Sequence, residues 1–486
     1  MNQIYIDGCF TLSRTAVIED GNLTHIYYEK MNEDIQEGNI YLGRVCQIIP
    51  SMNAAFVDIG KKENAYLHFR DSVPWSAEGA NWKDKSTTIA KHLKGGMEVF
   101  VQIIGDASQY KGCKVTMKLA LPGKYIVLMP LSTQRSVSRK ITDAKMIKAL
   151  QSKIHQVLPP DAGYILRTEA MTAPEKEFEE EVVALWTRWE QLFKQRITTK
   201  APSLLTKTAS TLQRSVLDHL NEETEFVKVN QADLFMNLRG FTTQTGLDQL
   251  SGKFELVEDP LLFEKIGIEK TINLLSQRQV SLPSGGFLII DETEAMTMID
   301  VNSGKSKTGY NQRDLALATN LEAAIESARQ VKLRNLGGII LIDFIDMDHA
   351  SDRQEVLKMF KNESFKDRVG INVMGFTALG ILEMTRKKAG KRLSEFSKGT
   401  CQCCHSLTHQ SLEKMTDELL KDIWRKFKHN PTEVMVYQID QQLADYLDSI
   451  SSEVNTWLAT VSSDIDYEIL PYLIGGYKMT YMGRRK

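Results

Sequence analysis

The chain has 486 residues, of which 42% are hydrophobic and 25% charged, a composition typical of a folded globular protein with roughly three domains. Its 60 basic and 62 acidic residues nearly cancel, so a uniformly basic surface is excluded and any nucleic-acid-binding surface must be local. No apolar run reaches the roughly 18 residues of a membrane span, and the first residues lack the segments of a signal peptide. The six cysteines show no disulfide framework. We therefore expect a cytoplasmic protein without a membrane partner.

The first third of the chain is rich in β-strand patterns. Residues 4–26 alternate apolar and polar side chains around two Asp-Gly turns, which predicts a small antiparallel meander. Five short strands follow from Gly38 onward, in the stretches NIYLGRVCQII, AAFVDIG, NAYLHF, MEVFVQII and KVTMKL. Their number and size predict a five-stranded OB barrel.

Two aromatic residues and a lysine mark one candidate surface of this barrel. Phe56 and Tyr66 lie on consecutive predicted strands, and Lys111 lies near the fifth. Aromatic rings that stack on bases, with a lysine that contacts phosphate, are the means by which such a barrel binds single strands. The alternative interpretation is that Phe56 belongs to the barrel core.

The segment that follows the barrel mixes strands and helices. GKYIVLMPL and GYILRT are typical of strands, and SRKITDAKMIKALQSKI is typical of a helix. EKEFEEEVVALWTRWEQLFKQRI has apolar residues at three- and four-residue spacing and predicts a long helix, which Pro202 ends. A further α+β stretch covers roughly residues 205–275.

Two predicted strands of buried apolar residues end in acidic residues. GFLIIDE and AMTMIDV predict a hairpin whose second strand delivers Asp300, with Asn302 two residues later. A helix over residues 315–333 then leads to GGIILIDFIDM, which ends in Asp343 and Asp346. If the two strands are neighbours, Asp300, Asn302 and Asp346 converge at one sheet edge and offer the oxygen ligands that Mg²⁺ prefers. The alternative is that these acids only terminate strands.

Two basic segments were candidates for phosphate contacts. Gly304-Lys305-Ser306 does not complete a P-loop, because Ile299 stands where the motif requires a glycine. The run TRKKAGKR at residues 385–392 holds five basic residues in eight, and its place after the acidic strands favours a contact with the phosphate backbone of a nucleic acid.

Three of the cysteines lie close together near residue 400. Cys401 and Cys404 have the spacing of a zinc knuckle, which supplies half of a tetrahedral site. No second CxxC exists in the sequence. Either His405 and His409 complete the site or two protomers contribute one pair each, and Cys403 is a competing ligand. A free redox pair is the alternative, but the expected βαβ context is missing.

Through its motifs the chain resembles the ribonuclease E/G family of endoribonucleases. The most specific motifs are LGRVCQIIPSMNAAFVDIG, GYILRT, MTMIDVNSGK, TNLEAAIESARQVKLRNLGGIILIDFIDM, GFTALGILEMTRKK and the CxxC. The resemblance implies an α+β multidomain protein in which an OB-fold RNA-binding barrel is inserted in an RNase H-like domain. The implied domains are an RNase H-like domain (1–34 and 213–275), the OB fold (35–118), a 5′-end sensor region (119–212), a DNase I-like catalytic domain (276–398), a zinc link (399–414) and a small C-terminal α+β domain (415–486).

The resemblance also implies the activity. It is Mg²⁺-dependent hydrolysis of single-stranded, A/U-rich RNA to 5′-phosphate and 3′-hydroxyl ends, in the decay of messenger RNA and the processing of ribosomal RNA precursors. The resemblance implies that Asp300 and Asp346 bind the catalytic Mg²⁺ with help from Asn302, and that Phe56, Tyr66 and Lys111 bind RNA. It implies that Arg167 and Thr168 bind a 5′-monophosphate. It also implies that Cys401 and Cys404 bind a Zn²⁺ ion that is shared between the two protomers of a homodimer.

The sequence departs from the family pattern at one position that matters for function. Ala378 stands where family members commonly carry an arginine of the 5′-monophosphate pocket, and Arg139 and Lys140 are the candidates to compensate for it. The competing hypothesis is a non-catalytic single-stranded RNA-binding protein derived from the same fold. A nuclease that acts on DNA is a third.

Overall fold

The computed structural model describes most of the chain, in two compact units. The residues outside the description are 1, 31–36, 73–87, 106–111, 139, 140, 142, 246, 305–311, 401–406, 430–433, 459–463, 470–475 and 484–486. One unit comprises residues 1–31, 223–235 and 253–486, and the other comprises residues 32–222 and 236–252. Within the described ranges, no helix has the length and apolar character needed to cross a membrane.

Eleven strands precede the first α-helix of the described chain, and strands and α-helices are interspersed after it. The strands are β1 (Asn2–Gly8), β2 (Leu12–Glu19), β3 (Asn22–Lys30), β4 (Ile40–Ile49), β5 (Ala54–Asp58), β6 (Ala65–His68), β7 (Glu98–Gly105), β8 (Lys114–Thr116), β9 (Leu121–Pro122), β10 (Ile126–Met129), β11 (Arg135–Val137), β12 (Gly163–Leu166), β13 (Ser203–Thr206), β14 (Thr224–Val229), β15 (Phe254–Leu256), β16 (Gln279–Ser281), β17 (Phe287–Glu292), β18 (Met296–Asn302), β19 (Gly338–Asp343), β20 (Ile371–Phe376), β21 (Ile381–Arg386), β22 (Lys398–Thr400), β23 (Leu407–Gln410), β24 (Val434–Ile439), β25 (Asp464–Ile469) and β26 (Tyr477–Gly483). The α-helices are α1 (Ala144–Val157), α2 (Glu175–Thr198), α3 (Thr211–His219), α4 (Ala232–Gln244), α5 (Leu262–Lys265), α6 (Ile268–Leu275), α7 (Gln312–Leu333), α8 (Ala350–Phe365), α9 (Leu393–Ser397), α10 (Leu412–His429), α11 (Gln441–Ser449) and α12 (Ser451–Leu458).

The N-terminal meander forms three of the five strands of a mixed sheet. Strands β1, β2 and β3 pair antiparallel, as the alternating pattern predicts. Strand β14 then pairs parallel with β1, and β15 pairs parallel with β14, which gives the order β15-β14-β1-β2-β3. Helices α5 and α6 contribute Phe263 and Ile272 to the apolar core that also holds Tyr5 and Ala16 of the sheet.

The five barrel strands close on themselves, as predicted. Their order is β4-β5-β6-β8-β7, and β7 pairs back with the long strand β4. Inward-facing residues such as Tyr41, Val57, Leu67 and Val101 fill the core. The sequence did not predict that β13 pairs antiparallel with β4 and extends this sheet.

A four-stranded sheet and two helices follow the barrel. The order of the sheet is β11-β12-β10-β9. Helix α2 buries Phe178, Val182, Leu185 and Trp189 in the same core as the sheet residue Tyr164. Three- and four-residue spacing places such residues on one helix face, so the predicted long helix is confirmed.

The acidic strands belong to a six-stranded sheet of order β16-β17-β18-β19-β21-β20. Strands β17 and β18 form the predicted hairpin, and β18 runs parallel to β19. Alternate residues of β18 and β19, including Ile299 and Ile342, are buried in a core that includes residues of α7 and α8. The intervening residues face the opposite side of the sheet. On that side Asp300 and Asp343 are exposed.

The C-terminal part consists of a hairpin and a small α+β layer. Strands β22 and β23 pair antiparallel. Strand β24 is the centre of a three-stranded sheet, parallel to β25 and antiparallel to β26. Its residues Met435 and Tyr437 share an apolar core with Leu419 and Ile423 of α10.

Candidate functional site

The two acidic strand ends lie side by side. Asp300 of β18 and Asp343 of β19 occupy paired positions in the parallel register, and Asp346 follows in the loop that leads to α8. Partial burial raises the pKa of Asp343 above its usual range, and the negative charges of Asp300 and Asp346 raise it further. The carboxyl group of Asp343 is therefore close enough to those of Asp300 and Asp346 to be repelled by both.

Asn302 supports the carboxylate of Asp300 directly. Its side-chain nitrogen Nδ2 donates a hydrogen bond of 2.8 Å to Oδ2 of Asp300. The two residues are two apart on β18 and so point to the same side of the sheet. The bond uses one amide proton of Asn302 and leaves the second carboxylate oxygen, Oδ1 of Asp300, outside this contact.

The chain that follows Asn302 packs closely against the turn before β17. Gly304 has a φ of +62°, and a Cβ atom built on it would lie 2.2 Å from the carbonyl oxygen of Gly285. Only a glycine can adopt this position without strain or a clash. Lys305, the first residue beyond Gly304, lies outside the described residues.

The barrel presents Phe56 and Tyr66 as a cross-strand pair. They are directly opposite each other on β5 and β6, with ring centroids 6.0 Å apart and ring planes at 66°. Both are only partly buried, whereas Val57, next to Phe56, belongs to the core. Phe56 is therefore not a fully buried core residue of the barrel. Lys111 lies outside the described residues.

His68 extends the aromatic pair, and the sequence analysis missed it. Its ring centroid lies 6.5 Å from that of Tyr66. Nδ1 of His68 accepts a hydrogen bond of 3.1 Å from the backbone N–H of Arg70, so the neutral ring carries its proton on Nε2. The sequence could have predicted this position, because side chains two residues apart on a strand, such as Tyr66 and His68, lie on the same side of the sheet.

Arg167 is held by three groups in the region after the barrel. Its Nη1 donates to the carbonyl oxygen of Gly123 at 2.6 Å, and its Nη2 lies 2.9 Å from Oδ1 of Asp218. Glu169 lies 3.7 Å from Nε. Burial opposes the charge of Arg167, but the carboxylates of Asp218 and Glu169 outweigh it and raise its pKa. Asp218 was not identified from the sequence, because it lies 51 residues away.

Thr168 and the loop around Tyr125 complete this region. The hydroxyl groups of Thr168 and Ser138 are 3.0 Å apart. The buried carboxylate of Glu181 accepts hydrogen bonds from three successive backbone N–H groups, at 2.7 Å from Lys124, 2.8 Å from Tyr125 and 3.0 Å from Ile126. These bonds hold the loop against which Arg167 is placed. Arg139 and Lys140 lie outside the described residues.

Part of the basic run has a structural role instead of the expected contact with phosphate. Arg386 is buried, and its Nε donates to Oδ2 of Asp367 at 2.8 Å. Its Nη1 donates to Oδ1 of Asn335 at 2.8 Å and to the carbonyl oxygen of Leu336 at 2.9 Å. The guanidinium group of Arg386 is therefore buried and bonded to groups of the protein. The prediction that the basic run contacts phosphate is wrong for this residue.

The exposed part of the run lies far from the acidic residues. Arg386 pairs with Gly338 at the start of β19, whereas Asp343 pairs with Ile381 at its end. Five residues of strand separate these positions by about 17 Å. Lys388, two residues after Arg386, is exposed and lies beside Gly337 at this same far end of β19.

The predicted zinc ligands Cys401 and Cys404, together with Cys403 and His405, lie outside the described residues. They fall between β22 and β23, which pair antiparallel.

A closed OB-like barrel with partly exposed aromatic rings and a sheet edge with neighbouring carboxylates are features typical of a nucleic-acid-processing protein. The family model described as "Ribonuclease E/G family" matches residues 120–389. Ribonuclease G of Escherichia coli (strain K12) is 33% identical over 418 residues, which cover 85% of each chain. Ribonuclease G of Haemophilus influenzae is 31% identical over 440 residues, 90% of this chain and 89% of the relative.

Ribonuclease E of Synechocystis is also similar, at 34% identity over 378 residues, which are 77% of this chain and 55% of the relative. The chain belongs to the ribonuclease E/G family. It is an endoribonuclease, and its substrate is RNA.

Proposed function

We propose that the protein is a Mg²⁺-dependent endoribonuclease that hydrolyses single-stranded, A/U-rich RNA to 5′-phosphate and 3′-hydroxyl ends. Its proposed roles are messenger RNA decay and the processing of ribosomal RNA precursors. The observation that carries the proposal is the side-by-side placement of Asp300 and Asp343 at one sheet edge, with Asp346 and Asn302 beside them.

The donor set of this edge fits Mg²⁺. Carboxylate oxygens are the ligands that this ion prefers, and the mutual repulsion that raises the pKa of Asp343 is relieved by a cation. Among the described residues, these carboxylates do not form a group whose oxygens all lie within 4.8 Å. An ion held by these residues would therefore have to retain several water ligands. Asp300 and Asp346 would hold it, and when bound it would activate water and neutralise charge on the phosphodiester.

The residues of the chain prepare this edge for hydrolysis. The hydrogen bond from Asn302 fixes the orientation of the Asp300 carboxylate. The parallel pairing of β18 with β19 fixes the spacing between the backbone positions of Asp300 and Asp343. In the proposed reaction the oxygen of a water molecule forms a bond to phosphorus while the bond between phosphorus and the 3′-oxygen breaks. One proton of that water ends on the leaving 3′-oxygen, which becomes the 3′-hydroxyl, and the phosphate stays on the 5′ end of the downstream product.

In this proposal the barrel binds the single-stranded RNA. Phe56, Tyr66 and His68 form a partly exposed row of rings on which unstacked bases can stack. The resemblance adds Lys111 as a phosphate contact. A row of rings is tolerant of base identity, so the preference for A/U-rich RNA reflects how readily such RNA stays single-stranded.

The proposal includes a preference for 5′-monophosphorylated RNA through Arg167 and Thr168, with Arg139 and Lys140 as further candidates. A guanidinium group and a hydroxyl suit a phosphate. In support, the loop held by Glu181 and the contact with Asp218 fix the position of Arg167. Because Ala378 replaces an arginine and Asp218 already compensates part of the charge, we expect this preference to be weak.

The proposed architecture follows the family. The mixed sheet β15-β14-β1-β2-β3 supports an RNase H-like domain, and the six-stranded sheet covered on one face by α7 and α8 supports a DNase I-like catalytic domain.

Cys401 and Cys404 would share one Zn²⁺ between two protomers of a homodimer. Metal analysis of the purified protein should then find about half an equivalent of zinc per chain, whereas a full equivalent in a monomer would contradict the shared site.

The experiment that tests the proposed function is cleavage of a short A/U-rich RNA with and without Mg²⁺, with 5′-monophosphate and 5′-hydroxyl substrates. We expect cleavage by the wild type that EDTA abolishes, products with 5′-phosphate and 3′-hydroxyl ends, and faster cleavage of the monophosphate. Equal rates on the two substrates would remove the 5′-end preference alone. RNA binding without any cleavage would support the non-catalytic alternative.

A further inference from the structure

One buried side chain holds the loop that carries Asp346. Asn320 lies on α7 and has no exposed surface. Its Nδ2 donates a hydrogen bond of 2.8 Å to the carbonyl oxygen of Ile345, and its Oδ1 accepts one of 3.0 Å from the N–H of Ile345. The loop between β19 and α8 contains no helix or strand of its own. Asn320 thus supplies both backbone hydrogen bonds of the residue that precedes Asp346.

The arrangement specifies asparagine at this position. A side-chain amide offers one donor and one acceptor in a plane, which matches the N–H and C=O groups of a single residue. The opposite amide orientation would place oxygen against oxygen and nitrogen against N–H, so the contacts fix the orientation. On the other side of Ile345, Phe344 is buried, and its ring centroid lies 5.9 Å from that of Phe376. The backbone that leads into Asp346 is therefore held at two successive residues.

The same helix also supports the other half of the site. The Glu322 carboxylate accepts a hydrogen bond of 2.9 Å from the backbone N–H of Ser284. This turn continues to Gly286, where an added Cβ would lie 2.7 Å from the carbonyl oxygen of Asn302. Helix α7 therefore contacts the backbone beside Asn302 through one turn and the backbone beside Asp346 through Asn320.

We propose that Asn320 is a positioning residue for hydrolysis, which sets the distance of Asp346 from Asp300 by clamping Ile345. This inference rests on the proposed catalytic role of Asp346. Asn320 touches neither RNA nor the reacting atoms, so its loss should misplace a carboxylate while the RNA-binding barrel remains unaffected.

The first test compares Asn320→Ala with Ser327→Ala by steady-state cleavage and equilibrium RNA binding. Ser327 is the matched control, because it is also buried on α7 but lies two helical turns beyond Asn320. For Asn320→Ala we expect kcat to fall by about 10- to 100-fold, the usual effect of losing a residue that orients a metal ligand. RNA affinity should stay at the wild-type value, and Ser327→Ala should keep wild-type kcat.

The second test uses Asn320→Asp and separates positioning from a general loss of stability. A neutral carboxylic acid keeps one donor and one acceptor and can reproduce the clamp, whereas a carboxylate cannot donate to the carbonyl oxygen of Ile345. Burial raises the pKa of such a group. The kcat of Asn320→Asp relative to wild type should therefore rise as the pH is lowered from about 8 to about 6, while circular dichroism shows a folded protein throughout.

The outcomes distinguish this inference from the proposed function. If Asp346→Asn is inactive but Asn320→Ala and Asn320→Asp have wild-type kcat, Asn320 does not position the site. A pH-independent defect in folded Asn320→Asp, or a defect in RNA binding equal to that in kcat, would also overturn the inference. If Asp346→Asn itself remains active, the proposed catalytic site is wrong.

Discussion

The barrel and the six-stranded sheet bury similar aliphatic cores but expose different chemistry. The barrel closes through the pairing of β4 with β7 and partly exposes the rings of Phe56 and Tyr66 on two neighbouring strands. The six-stranded sheet stays open and exposes Asp300 and Asp343 where two parallel strands end. Rings on a continuous surface can stack on many bases, whereas clustered carboxylates suit a cation and one scissile bond. Under the proposed function, holding RNA and cutting RNA are therefore assigned to separate β structures of one chain.

The largest expected effect is loss of cleavage in Asp300→Asn or Asp346→Asn. Removing a metal ligand forfeits several kcal/mol of transition-state stabilisation, which is about 10³-fold or more in kcat. RNA binding should persist, because the barrel is unchanged. The control is Glu383→Gln, an exposed carboxylate on the neighbouring strand β21, which should keep wild-type activity in the same cleavage assay. Parallel loss of RNA affinity in the two aspartate variants would mean that these acids are structural.

The next effect concerns stability at the far end of the same sheet. Arg386 and Asp367 form an ion pair whose side chains are 3% and 6% exposed. Arg386→Ala removes the guanidinium group that neutralises the buried Asp367 carboxylate, which should cost about 3–5 kcal/mol of unfolding free energy. Denaturant unfolding measures this cost, and Lys388→Ala, which removes an exposed charge of the same run, should cost almost nothing. Equal stability of both variants would contradict the structural role of Arg386.

A smaller effect is expected on the barrel. Phe56→Ala and Tyr66→Ala each remove a stacking platform, which should weaken binding of a short single-stranded RNA by about 1–3 kcal/mol. Tyr66→Phe keeps the ring and serves as the control with wild-type affinity in a fluorescence-anisotropy titration. If kcat at saturating RNA fell while affinity stayed constant, the division between holding and cutting would fail.

The smallest effect is expected at Arg167. Arg167→Lys keeps the charge but loses the two-pronged contact with Gly123 and Asp218. The ratio of cleavage rates on 5′-monophosphate and 5′-hydroxyl RNA should fall toward one, a change of up to about tenfold or 1.4 kcal/mol. Arg135→Lys on the neighbouring strand β11 is the control that should leave the ratio unchanged. A ratio unaffected by Arg167→Lys would remove this residue from 5′-end recognition.

The sequence predicted the barrel and the acidic sheet edge because both leave local patterns. Short alternating strands with tight turns indicated β4 to β8, and the order of residues along β18 and β19 already placed Asp300 and Asp343 at strand ends. The alternating pattern of ILEMTR could also have predicted that Arg386 is buried, because Leu382, Met384 and Arg386 share the buried side of β21. One arginine of the basic run is therefore a buried structural residue.

The supporting residues could not be predicted, since they depend on contacts between distant parts of the chain. Asp218 pairs with Arg167 across 51 residues, and Glu181 holds Tyr125 across 56 residues. Asn320 holds Ile345 across 25 residues. Each is a polar residue on a helix with no distinctive spacing, so only the packing of that helix against a particular loop reveals its partner.

The most direct test of the division between the two β structures is a single experiment on one A/U-rich RNA. Affinity and single-turnover cleavage at saturating RNA are measured for wild type, Asp300→Asn and Phe56→Ala. We predict that Asp300→Asn binds RNA with wild-type affinity and does not cleave it, and that Phe56→Ala binds weakly but cleaves saturating RNA at a rate near that of wild type. Loss of binding in Asp300→Asn, or a Phe56→Ala protein that binds normally and fails to cleave, would contradict the account.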